Sequence, residues 1–190
     1  MKRDNAFTGL EAAIVLIAFV VVAAIFSYVM LGAGFFATQK AQEVTYAGVK
    51  QSTSNLIPDG TLYGNMTGDK LERIQLSLSV PLGGHSQEFK DLMVTYTKQG
   101  KTPINIDYDA SKTTWNDNPV HDKFSIASCT EGVPNNGTLV GSGDSCSIVI
   151  KVTDGSISGE WFQIEIKPPV GAPTTIRKTI PTGYMGGKLL

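Results

Sequence analysis

The chain changes its pattern of hydrophobic and polar positions once, near residues 55–60. From Ala12 to Gln39 there is no Asp, Glu, Lys or Arg, and apolar residues would occupy every side of a helix. A helix that is apolar all round is buried on all sides, either by lipid or by other helices. Because no proline occurs between Leu10 and about Asn55, we predict one long helix there.

The start of this helix has a pattern of its own. Thr8 followed by Glu11 matches a capping box, which predicts Thr8 as the N-cap residue. Glu11 is also a carboxylate at the edge of the apolar run, where an isolated charge is costly. We therefore expect Glu11 to have a partner that neutralises it.

Beyond Pro58 the hydrophobic period changes to two, the period of a half-buried strand. The strongest alternation places these residues on one face: Ile74, Leu76, Leu78, Val80 and Leu82. Weaker alternation continues to Ile180, interrupted by turn-forming Gly, Asn and Asp. About seven to nine short strands with regular turns predict an antiparallel, immunoglobulin-like β-sandwich. The predicted fold class is therefore α+β.

The uncharged run is long enough to cross a membrane, since about 20 apolar helical residues span the hydrocarbon core. Lys2 and Arg3 precede it, so the N-terminus is expected on the cytoplasmic side and the β-rich part outside. A cleaved secretory signal is the competing interpretation, but its apolar region is normally about 7–15 residues long.

Charge and motifs exclude several function classes. With 16 basic and 17 acidic residues, the chain lacks the basic surface of a nucleic-acid binder. His85 and His121 are the only histidines and have no ligand spacing, so no zinc site, no other cofactor and no enzymatic activity are predicted. Asp107 and Asp109 are a weak calcium candidate, and a solvated loop is the alternative.

Cys129 and Cys146 are the only cysteines. In an exported domain such a pair predicts one disulfide, with two buried free thiols as the alternative. Asn65 and Asn136 each begin an N-glycosylation tripeptide and are candidate modification sites.

The N-terminal stretch AFTGLEAAIVLIAFVVVAAIFSYVMLGAGFFATQKAQEV resembles the N-terminal region of archaeal flagellins (archaellins), the subunits of the archaellum. It is similar, more distantly, to type IV pilins, where Phe-Thr-x-x-Glu precedes an apolar helix. The resemblance is specific from Ala6 to Val44, and beyond that it rests on a β-rich domain of suitable size.

The resemblance implies a basic leader at residues 1–5 that a prepilin-type signal peptidase removes. The cleavage site would lie at Asn5, Ala6 and Phe7, although Asn5 stands where pilin-type leaders usually have glycine. Glu11 would then neutralise the N-terminal ammonium of a neighbouring subunit during assembly.

If the leader is retained, Lys2 and Arg3 are the alternative partners of Glu11. The remaining domains would be a long helix at 6–55, which spans the membrane before assembly and forms the filament core afterwards, and an outer β-sandwich at 56–190. The helix residues expected to pack in the core are Ala12, Ile14, Leu16, Phe19, Val22, Ile25, Phe26, Val29, Gly32 and Gly34.

The function implied is a structural subunit of the extracellular archaellum filament used for swimming. Its expected partners are copies of itself in a helical polymer, paralogous filament subunits, the membrane before assembly, the signal peptidase and the archaellum motor or platform complex. Two alternatives stay open: an adhesive type IV-like pilin, and a monomeric single-pass anchored ectodomain that binds a ligand.

Overall fold

The computed structural model describes residues 4–110, 122–130 and 138–189. Side chains are described from residue 9 onward. Contacts divide the chain into two compact units, Met1–Ala47 and Gly48–Leu190. A single helix, α1 (Asp4–Thr53), contains 50 residues and runs from the first unit into the second. The prediction of one long helix is confirmed. Because α1 begins at Asp4, Thr8 lies inside it, and the predicted N-cap is wrong.

The second unit is built from strands. Among the described residues there are β1 (Ile57–Thr67), β2 (Lys70–Ser79), β3 (Gln87–Glu88), β4 (Met93–Lys98), β5 (Ile104–Tyr108), β6 (Lys123–Cys129), β7 (Leu139–Val140), β8 (Ser145–Lys151), β9 (Trp161–Lys167), β10 (Thr174–Thr179) and β11 (Gly187–Leu189). A short 3₁₀ turn (Phe89–Asp91) precedes β4. These strands are more numerous than expected because β3, β7 and β11 are too short to show a hydrophobic period.

Nine strands form one sheet in the order β10-β9-β4-β5-β6-β8-β2-β1-β11, and β3 pairs with β7. Every described pair of neighbours in the large sheet is antiparallel except β5 and β6, which run parallel through two residue pairs. The prediction of a long helix followed by a mostly antiparallel β domain is confirmed. The immunoglobulin-like arrangement of the strands stays a prediction.

One hydrophobic core joins the two ends of the sheet. Ile74 of β2, Phe124 of β6 and Ile164 of β9 are fully buried in the same cluster. Each fully buried side chain of this kind stabilises the fold by about 1.5–3 kcal/mol. The alternation predicted for β2 is confirmed as far as Val80, which is 1% exposed.

Leu82, the last residue of that predicted alternation, is 89% exposed, so its assignment to the core is wrong. The preceding Pro81 lacks a backbone N–H and cannot continue the ladder. The chain turns there instead, and the Gly84 N–H donates to the Pro81 carbonyl oxygen at 2.9 Å.

A buried tyrosine fixes the loop between β8 and β9. The hydroxyl of Tyr96 lies 2.9 Å from the Ser156 hydroxyl and accepts a hydrogen bond from the Ser156 N–H at 3.0 Å. Burial raises the pKa of the Tyr96 phenol. Gly155 is required beside it, because a Cβ at that position would lie 1.6 Å from the Leu71 carbonyl oxygen.

Candidate assembly surface

The helix α1 is uncovered along nearly its whole length, and it carries no charged residue from Ala12 to Gln39. Every residue from Gly9 to Ser52 is exposed in the single chain. Phe19 is 72% exposed, Phe26 65% and Leu16 66%, although these side chains are of the type normally buried. The other predicted core-packing residues are equally uncovered: Ala12, Ile14, Val22, Ile25, Val29, Gly32 and Gly34.

The exposed residues of α1 occupy every side of the helix from Gly9 to Ser52. A neighbour packed on one side would therefore leave the other sides uncovered. A helix that is apolar all round is buried by lipid or by several other helices.

Glu11 lies at the end of a shallow apolar groove along α1. The same groove is lined by Ala12, Val15, Leu16, Phe19, Val20 and Ala23. Glu11 makes no salt bridge with any residue in the described part of the chain. Its carboxylate therefore lies beside hydrocarbon side chains.

Small residues leave room for close approach at two points of the helix. Gly32 and Gly34 have no atom within 4 Å of the position that a Cβ would take. Glycine allows two helix backbones to come close together, as in membrane helix pairs. The helix is continuous through both residues.

Polar side chains in the second half of α1 bond within their own helix. Thr38 donates to the Gly34 carbonyl oxygen at 2.9 Å, and Thr45 donates to the Ala41 carbonyl oxygen at 2.8 Å. The Lys40 ammonium lies 2.6 Å from the Glu43 carboxylate. The sequence reasoning missed these internal bonds, although threonines four residues after small residues and opposite charges three apart would have indicated them.

Comparison with known proteins identifies the family. A profile described as archaeal-type flagellin matches residues 6–178. The chain belongs to the archaeal-type flagellins. Probable flagellin 1 and probable flagellin 2 of Archaeoglobus fulgidus are 35% and 39% identical to it, over 95% and 97% of this chain and 92% and 94% of their own lengths. The solved archaeal flagellum of Methanospirillum hungatei strain JF1 aligns at 43% identity with a TM-score of 0.70, covering 96% of this chain and 99% of that chain.

The family decides between the alternatives left open by the sequence. Flagellins of this type are structural filament proteins and not enzymes, so the prediction of a filament subunit is confirmed. An apolar helix alone would also fit a monomeric membrane anchor. The likeness extends over nearly the whole of this flagellin, including the β-rich unit, and that extent favours the filament subunit.

The two cysteines of the flagellin form a disulfide. Cys129 and Cys146 are direct partners in the pairing of β6 with β8, and their Cα atoms lie 4.0 Å apart. Cys146 is 1% exposed. The disulfide predicted from the cysteine count is present, and the alternative of two free thiols is not.

The glycosylation candidates lie in different settings. Asn65 is exposed on β1, where the Thr67 hydroxyl of the same tripeptide donates to the Glu72 carboxylate. Asn136 lies outside the described residues. The Thr138 hydroxyl, at the end of that second tripeptide, donates to the Glu88 carboxylate. This bond and a second one from Lys90 lower the pKa of Glu88.

The weak calcium candidate gains no further ligand in the described part of the flagellin. Asp107 is exposed on β5, whereas Asp109 is 3% exposed and its N–H donates to the Phe124 carbonyl oxygen at 2.8 Å. The Asp122 carboxylate accepts hydrogen bonds from the N–H and hydroxyl of Thr153. No group of three metal-binding side chains occurs within the described ranges.

The predicted leader site is described only in part. Asn5, Ala6 and Phe7 belong to α1, but their side chains are outside the described set. Lys2 and Arg3 lie outside the described residues altogether. Cleavage at this site stays a prediction.

Proposed function

We propose that this flagellin polymerises into the extracellular archaellum filament used for swimming, with α1 of many copies in the core and the β-rich units outside. The observation that carries the proposal is the uncovered surface of α1 from Gly9 to Ser52, which is uncharged from Ala12 to Gln39. The exposed residues occupy every side of the helix, so several neighbours rather than one are needed to bury it. An interface repeated head-to-tail without closing produces an open helical polymer.

Before assembly, the same helix is held in the cell membrane. An 18-residue window within Gly9–Thr53 reaches a mean hydropathy of 2.9, and the helix is long enough to cross a bilayer. All its backbone groups except those at the ends are bonded within the helix, which lipid requires. The helix α1 therefore lies in the membrane before assembly and in the filament core afterwards.

A prepilin-type peptidase removes the leader 1–5 and leaves Ala6 or Phe7 as the new N-terminus. The family match begins at residue 6, which supports this boundary. Glu11 then pairs with the new ammonium of a neighbouring copy. Each charge would be costly alone in an apolar core, and the pair relieves that cost.

The proposal is tested by replacing Glu11. We expect Glu11→Ala to insert into the membrane as the original chain does but to yield few or no filaments, as counted by electron microscopy of sheared cell-surface material. Glu11→Gln keeps the size of the side chain and removes its charge, so it should fail in the same way.

The matched control is Glu43→Gln on the same helix. Glu43 already has a partner within its own helix, Lys40, so its loss should reduce filament yield less than loss of Glu11. Normal filament yield from both Glu11 variants would refute the pairing of Glu11 with the N-terminal ammonium of a neighbouring copy. Membrane-bound monomers without filaments from the unaltered chain would refute the filament itself.

A further inference from the structure

The two ends of the nine-stranded sheet face each other across a cleft in the β-rich unit. One wall is formed by residues 175–178 of β10, and the other by residues 58–62 of β1. The cleft measures about 520 Å³. Its volume lies within the range of about 300–1,000 Å³ that is usual for binding clefts.

Both walls of this cleft carry backbone that lacks a strand partner. The strand β10 ends the sheet and pairs with β9 alone. On the opposite wall, Gly60 and Thr61 have no register partner on β2 or on β11, because β1 bulges there and β11 pairs with it only at residues 62–64. Unpaired edges of this kind present N–H and C=O groups that can pair with an added strand.

Two hydrogen bonds hold the walls together at one end. The Thr174 hydroxyl donates to the Leu56 carbonyl oxygen at 2.6 Å, and the Ala172 N–H donates to the Asn55 Oδ1 atom at 2.8 Å. Both bonds tie the start of β10 to the segment just before β1. The cleft is therefore formed before anything binds, which lowers the cost of ordering it on binding.

The rim of the cleft has an excess of positive charge. Three of the lining residues are cations, namely Arg177, Lys178 and Lys188, and one is a carboxylate, Asp59. None of these cations makes an ion pair with any residue in the described part of the chain. The Arg177 guanidinium is held over the Trp161 ring, 4.0 Å from its centre. The charge of the rim is therefore available to an anionic partner.

We propose that this cleft binds an extended, acidic segment of another protein as an added strand. Such strands gain affinity from backbone hydrogen bonds and specificity from the sites of their alternate side chains. Leu62, Leu76 and Leu189 line the cleft and are buried, so they form an apolar floor. Because the side chains of a strand alternate between two faces, apolar residues of the segment meet this floor and the acidic residues between them meet the rim.

A second copy of this chain fits the cleft less well. Its described strands already lie within sheets, and its free edge on β10 carries the same cations, Arg177 and Lys178. Lysine at a sheet edge opposes pairing between copies. The same charges attract an acidic strand, so they select the partner by repulsion as well as by attraction. The inference does not rest on the proposed filament, because the cleft lies wholly within the β-rich unit.

The cleft is tested with a short labelled peptide of alternating glutamate and valine, added to the full chain in nonionic detergent. Fluorescence anisotropy should show saturable binding that weakens as salt is raised. A peptide with lysine in place of glutamate should not bind. A glutamate–valine peptide with a central proline should bind more weakly, because proline lacks the N–H that a ladder requires.

A matched pair of variants locates the binding. Lys178→Gln/Lys188→Gln should weaken binding roughly two- to thirtyfold, the range for loss of two exposed ion pairs. Lys101→Gln/Lys167→Gln removes two exposed lysines that do not line the cleft and should leave binding unchanged.

Several results would overturn the inference. These are absence of saturable binding, equal binding of the proline peptide, and equal weakening by both pairs of variants. Displacement of the peptide by oligogalacturonate would identify the ligand as an anionic polysaccharide instead. The peptide comparisons use the unaltered chain, so they do not depend on the folding of a variant. None of them measures filament yield, so their failure would leave the proposed function intact.

Discussion

Reduction of the Cys129–Cys146 disulfide should destabilise the β-rich unit by a predictable amount. The bond closes a loop with a sequence separation of 17 residues. The loop-entropy relation gives a stabilisation of about 3 kcal/mol for a loop of this length. For a domain of this size, that corresponds to a decrease in Tm of about 10 °C.

The assay is thermal unfolding of the full chain in detergent, followed by the β-sheet circular dichroism signal with and without reductant. The double variant Cys129→Ala/Cys146→Ala is the control, because reductant should not change its Tm. Reduced protein and the variant should agree within about 1.5 kcal/mol, since Cys146 is buried and its truncation leaves a small cavity.

Two results would contradict this reasoning at different steps. Two free thiols in the denatured, unreduced protein would show that the bond does not form. A confirmed bond whose reduction lowers Tm by less than about 3 °C would show that loop closure is not the main effect. The strand pairing of β6 with β8 would then keep the loop closed by itself.

Two further predictions concern the ionisable groups of the β-rich unit. Tyr96→Phe should lower the free energy of unfolding by about 1–2 kcal/mol, because the hydrogen bonds of the hydroxyl are lost. Burial raises the pKa of Tyr96 above 10.0, so the original protein loses stability as the pH rises above 10. Tyr96→Phe should reduce that loss. If the free energy of unfolding of Tyr96→Phe fell as steeply above pH 10 as that of the original protein, the second effect would be contradicted. The hydrogen bond from Lys98 lowers the pKa of Asp154 below 3.8, so stability from this pair is present above pH 3.8 and lost as pH falls through the folded pKa. Urea titrations at a series of acidic pH values measure this loss of unfolding free energy, which Asp154→Asn should reduce. An unchanged dependence on pH would count against the Lys98–Asp154 pair.

The long helix and the main strand were predictable because each follows from a local sequence pattern. The run without charge or proline fixes α1 to within about two residues at its C-terminal end, Thr53 against the predicted Asn55. Alternation from Ile74 to Val80 likewise identifies the core face of β2. Apolar period alone did not show that Pro81 ends the strand, and this is why Leu82 was misassigned.

The remaining features depend on contacts that local sequence does not encode. The parallel pairing of β5 with β6 joins Tyr108 to Phe124 across a connection outside the described residues. The cysteine count predicted a disulfide, but not that Cys129 and Cys146 face each other on neighbouring strands. The Ala172 N–H donates to the Asn55 Oδ1 atom just beyond the end of α1, a juxtaposition that only the folded chain reveals.

The internal bonds of α1 lower the cost of burying its second half in an apolar surrounding. Thr38 and Thr45 satisfy their hydroxyls on carbonyl oxygens of the same helix, so neither needs water or a neighbour's polar group. Lys40 and Glu43 likewise neutralise each other at 2.6 Å. An unpaired polar group would cost free energy on leaving water for lipid or for packed helices. Glu11 is a charged group at the edge of the apolar run that has no salt bridge in the described part of the chain, and the proposed pairing at assembly would supply its partner.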